Sequence, residues 1–199
     1  TSAIYSNTEL KRVASAPYMA ALNRGLAAAF DELQRVLIPG SESMRNVRYA
    51  GIGLGDKYLA ANIKGEALSG VKGTPNQILV NPYTLLDVTN KRLDAGHITD
   101  DDLPSAFAKQ IVASLVHELT HQQYAGHGED FSGALTTNQG RVMDEASAQA
   151  ASLTETLTLA PTTEGAMGLF DAATLQQIQS DLAELRKAAK GDKPTAKKK

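Results

Sequence analysis

A chain of 199 residues with 42% hydrophobic residues is long enough for one domain with its own apolar core. Its formal net charge of -2, from 20 basic and 22 acidic residues, provides no field for gathering nucleic acid or an anionic membrane. With no cysteine, a disulfide framework, a thiolate metal site and a cysteine nucleophile are excluded together.

Residues 8–38 carry Leu10, Val13, Tyr18, Leu22, Leu26, Phe30, Leu33 and Leu37 at intervals near three and four. That periodicity predicts one or two helices, with Pro17 able to interrupt or restart the pattern and Pro39-Gly40 ending it. From Arg45 to Pro82 the runs become short and β-branched or alternating: "NVRYAGIGLG", "KYLAANI" and "QILVNP", separated by breaks such as "SGVKGTPN". These predict a small, mostly antiparallel sheet. "GIGLG" has the look of a phosphate loop, but no lysine or helix start follows, and a glycine-rich strand or bulge is the better reading. "QILVNP" is either a core strand or the strand that pairs with a peptide backbone. His97 beside the acidic run Asp100–Asp102 lacks the ligand spacing of a calcium loop and reads as a solvated loop leading to a helix cap.

"DDDLPSAFAKQIVASLVHELTHQQYAG" has Asp at a helix start, Pro104 in the first turn, and Phe107, Ile111, Leu115 and Leu119 on one side, with Gly126 as a stop. A loop rich in Gly, Thr and Asn follows, then an Ala/Ser-rich helix in "RVMDEASAQAASLTETLTL". "LFDAATLQQIQSDLAELRKAAK" predicts a third amphipathic helix. The expected domain runs from 1 to 188, and 189–199 is a lysine-rich tail expected to be disordered. No apolar stretch approaches the ~20 residues that cross a bilayer, so membrane insertion is not expected.

The chemistry concentrates in "VHELTHQQYAGHGEDF". Residues four apart share a helix face, so His117 and His121 can present two imidazole nitrogens to one point, while Glu118 reaches a water beside it. Two histidines and a third protein ligand hold zinc and leave one position for water, whose pKa falls to about 7. Glu118 would act as general base on that water and later protonate the leaving amine.

The stretch resembles the active-site helix of the zincin metallopeptidases. The order of elements predicts an α+β fold with N-terminal helices, a small sheet and following helices; the resemblance implies a sheet edge that receives an extended peptide above the His-Glu helix, and hydrolysis of a peptide or protein substrate. Two candidates for the third ligand remain open. Glu145, in "MDEASAQA" on the next predicted helix, resembles the gluzincin glutamate and is preferred. His127 has the spacing found in metzincins and SprT-like peptidases, although Tyr124 stands where the metzincin glycine belongs. Glu155 and Glu164 are more distant candidates. If Glu145 is the ligand, His127 is available at the rim to stabilise an oxyanion, a role open also to Tyr124 or Tyr83. Asp144 or Asp130 is a candidate to orient a ligand histidine.

The expected function is therefore zinc-dependent peptide-bond hydrolysis, against the alternative of an inactive zincin-like binding or scaffold module. The chain begins at Thr1 without Met or a charged segment followed by an apolar one, so any signal peptide is expected to be absent or already removed. A domain from a larger secreted protein is expected, similar in general plan to bacterial toxin or effector domains, with a secreted or periplasmic location favoured over a cytoplasmic one.

Overall fold

The computed structural model describes residues 17–53 and 58–158. The expectations for Leu10 and Val13, for the helix over 169–190, for Glu164 and for the lysine-rich tail lie outside the described residues.

Helix α1 (Pro17–Leu37) buries Leu22, Leu26, Phe30, Leu33 and Leu37, the stripe its periodicity predicts. A 3-10 turn over Ile38–Gly40, carrying Pro39, ends it where expected. Strand β1 (Val47–Ile52) follows, then β2 (Ala60–Ile63), a short helix α2 (Gly65–Ser69) and strand β3 (Asn76–Val80). Gly51 lies at a register shift in β1 with φ of +128°, a conformation open to glycine and costly to other residues, so the glycine-rich segment begins with a bulge.

The sheet order is β1-β3-β2, with β1 parallel to β3 and β2 antiparallel to it. It is a mixed sheet and corrects the expectation of a mostly antiparallel one. A parallel pair needs a crossover of a dozen or more residues. The segment between Ile52 and Asn76 is long enough to place β2 at the far edge and bring β3 back between the two strands. "QILVNP" is consequently the central strand, hydrogen-bonded on both sides, and has no edge for a peptide; β2 is the edge strand next to the candidate site.

Helix α3 (Pro82–Asp94) starts from Asn81, whose side-chain oxygen accepts from the Thr84 N–H at 3.3 Å. Then come α4 (Leu103–Thr120), α5 (Glu129–Arg141) and α6 (Met143–Thr158). Leu115 and Leu119 of α4, Phe30 of α1, Ile78 and Val80 of β3, and Ala150 and Leu153 of α6 share one apolar core, so α4 lies with the sheet, α1 and α6 around it. The fold is α+β, as expected. Among the described residues no helix is long and apolar enough to cross a membrane.

Two helix expectations are revised. Helix α4 was predicted to run to Gly126 but ends at Thr120, where the N–H groups of Gln122 and Gln123 turn to the carbonyls three residues back. The predicted loop after it is instead largely helix α5.

Candidate metal centre

The α4 backbone carries His117 and His121 one turn apart, and the His121 N–H still donates to the His117 carbonyl at 3.3 Å. The early end of α4 decides what joins them. Had the helix continued, a rise of 1.5 Å per residue would carry position 127 about 15 Å along the axis from His117. The chain turns back instead, and His127 Nε2 faces His117 Nε2 at 3.2 Å. The ligand atoms of His117, His121 and His127 all lie within 4.8 Å of one another.

These three residues could hold a metal ion. Zn–N bonds of 2.0–2.1 Å set neighbouring nitrogens about 3.3 Å apart, close to the His117–His127 spacing. Two imidazole nitrogens facing each other this closely must share a proton or a cation between their lone pairs. His121 is prepared in a complementary way. Its Nδ1 lies 3.0 Å from the Tyr124 carbonyl oxygen, which can only accept, so Nδ1 carries the proton and Nε2 keeps its lone pair. Burial, with His121 and His127 close by, lowers the pKa of His117 and favours its neutral, ligating form.

Glu118, on the same turn, is only 8% exposed. Burial pushes its carboxyl up to about 7, against the opposing pull of His127 and of the Asn62 backbone. Asn62 of β2 also donates from Nδ2 to the Glu118 carbonyl at 3.0 Å, tying the edge strand to this turn of α4. His117, Glu118, His121 and His127 line one cleft of about 490 Å³ together with Tyr58, Leu59 and Ala60, which lead into β2.

Glu145 is not brought to the histidines. Helix α6 turns Ala146, Ala150 and Leu153 into the core or against it, and Glu145 sits about 100° round the helix from Ala146. Its carboxylate accepts from Gln149 Nε2 at 2.8 Å and lies 3.7 Å from Arg35 of α1. Glu155 is exposed on the same helix. Tyr124 contributes its backbone carbonyl, while its side chain is exposed. That carbonyl fills the orienting role considered for Asp130 and Asp144, both of which are exposed. The Tyr83 side chain lies outside the described residues. His97 is exposed, and the nearby Asp102 carboxylate accepts from the Thr99 N–H and hydroxyl, which holds the turn before α4.

Three contributors escaped the sequence reading. Asn62 looks like any strand residue. Asn138 of α5 is 1% exposed and donates to Thr120 Oγ1 at 3.1 Å and Gln123 Oε1 at 2.8 Å, pinning α5 to the end of α4. Phe131, visible in sequence only as a residue trailing the third histidine, packs its ring against all three imidazoles. The chain matches no known protein-family model, no curated protein and no solved structure.

Proposed function

We propose that this chain is a zinc-dependent metallopeptidase of zincin type, with His117, His121 and His127 as ligands and Glu118 as general base. The reading is carried by one observation: three imidazoles converge beside a buried carboxylate in a single cleft next to an edge strand. Zinc, when bound, supplies Lewis acidity that polarises a carbonyl and makes water acidic enough to attack near pH 7.

The residues of the chain do the rest. An extended peptide added to β2, an edge strand among the described residues, passes its backbone along the cleft at Leu59 and Ala60. Glu118 accepts the proton of the attacking water and returns it to the amine as the C–N bond breaks. Asn62 holds the Glu118 turn in register with that strand. Tyr58 and Leu59 line the same cleft as Glu118.

Glu118→Ala tests the reading. With a peptide library as substrate, the wild-type chain is expected to cleave, while the variant retains stoichiometric zinc and loses at least 100-fold in rate, within the usual contribution of a general base. Zinc binding with no cleavage by the wild type would favour the binding-module alternative. Equal rates in variant and wild type would remove Glu118 from the mechanism.

A further inference from the structure

Phe131 is the third residue of α5 and is 3% exposed, yet it is not part of the main apolar cluster formed by α1, β3, α4 and α6. Its aromatic neighbours are the imidazoles. The ring stacks on His121 with centroids 4.5 Å apart and planes at 29°. It meets His117 at 5.0 Å and 64°, and His127 at 4.9 Å and 63°, both tilted edge to face. Phe131 is absent from the residues lining the cleft that the three histidines border. The imidazoles therefore have an aromatic ring on one side and open space on another.

His127 has the least other support. It is exposed, and it stands between Gly126 and Gly128, which have no side chains to brace it. Its ring makes contacts with His117, His121 and Phe131. Aromatic rings prefer offset-stacked or edge-to-face arrangements because of their quadrupoles, so a planar neighbour specifies ring orientation as well as filling volume. An aliphatic side chain of similar size fills the volume without specifying a plane.

We propose that Phe131 is the positioning residue of the three-histidine centre, an aromatic floor that sets the planes of all three imidazoles and closes the side away from the cleft. An ion held there would be reached from the cleft. This inference rests on the metal-binding reading but is independent of peptidase activity.

The test uses the full chain as Phe131→Leu, Phe131→Tyr and Phe107→Leu. Phe107 is another buried phenylalanine, 1% exposed, ten residues before His117 on α4. Three quantities are measured: thermal melting in chelator, Zn2+ affinity by competition with a chromophoric chelator, and the visible d–d spectrum with Co2+. Phe131→Leu is expected to weaken Zn2+ binding roughly 10–100-fold, the usual cost of losing an outer-shell partner, and to alter the Co2+ spectrum. Phe131→Tyr, which keeps the ring plane, should restore both. Phe107→Leu should lower the melting temperature and leave both metal readouts at wild-type values. Wild-type affinity and spectrum in Phe131→Leu would overturn the proposal, as would equal weakening by Phe107→Leu or by Phe131→Tyr. A wild-type chain that binds neither Zn2+ nor Co2+ would overturn the metal reading along with it.

Discussion

An imidazole binds a cation only through a bare nitrogen, so the site depends on where each ring keeps its proton. The Tyr124 carbonyl settles this for His121, and the Nε2 atoms of His117 and His127 face each other at 3.2 Å. His127→Ala is expected to weaken Zn2+ binding by more than the roughly 10–100-fold of an outer-shell loss, whereas Glu145→Ala leaves it unchanged. A competition titration compares them, and the reverse order would restore Glu145 as ligand. Glu118 has a different cost. Its folded pKa, raised to about 7 from 4.5, means the metal-free native state holds the proton more tightly than the unfolded chain. That state is thus relatively more stable below pH 4.5, and the advantage is lost as pH rises through 7. Metal-free Glu118→Gln should exceed the wild type in stability at pH 8, by roughly 3 kcal/mol at most. The gap should close toward pH 4.5. Urea midpoints in chelator at the two pH values measure it, and a gap that is constant with pH would show that the carboxyl is not held unfavourably.

At the scale of elements, the site is made by a helix that stops and a helix that begins. Helix α5 contains Gly133, Gly140 and the run Thr136, Thr137 and Asn138, all poor helix formers, which is why its sequence reads as a loop. Tertiary contacts outweigh that local preference. Phe131 and Asn138 are buried, and Asn138 bonds to Thr120 and Gln123 of the preceding segment. Asn138→Leu strands Gln123 Oε1 without this donor and should cost about 1–3 kcal/mol in stability. Because α5 carries Phe131 and follows the His127 turn directly, the same variant should also bind Zn2+ more weakly. A zinc titration that matches the wild type would show that the His127 turn holds itself.

Across the whole molecule, the three histidines come from two segments, His117 and His121 at the end of α4 and His127 on the turn entering α5. An ion bound only by the assembled set stabilises the native state by RT ln(1 + [L]/Kd), about 2.7 kcal/mol at a hundredfold excess over Kd. For a chain of this length that corresponds to a rise in melting temperature of roughly 5–10 °C, abolished by a chelator. Differential scanning fluorimetry with and without Zn2+ checks this, and no shift at saturating zinc would mean that the ligands do not assemble around the ion.

The helical stripe Leu22, Leu26, Phe30, Leu33 and Leu37, the three strands, and the pairing of His117 with His121 were legible because each depends on short-range periodicity, 3.6 residues in a helix and two in a strand. The side chain next to a histidine, Glu118, was legible for the same reason. What only tertiary structure decided was less local. It includes the parallel pairing of β1 with β3, the rotation of Glu145 toward Arg35, and the end of α4 at Thr120. That last feature lets His127 return. Each is settled by contacts between residues distant in sequence, such as Asn138 with Thr120 and Gln123 or Asn62 with Glu118. Such contacts exert no periodic constraint on the sequence, and no local pattern encodes them.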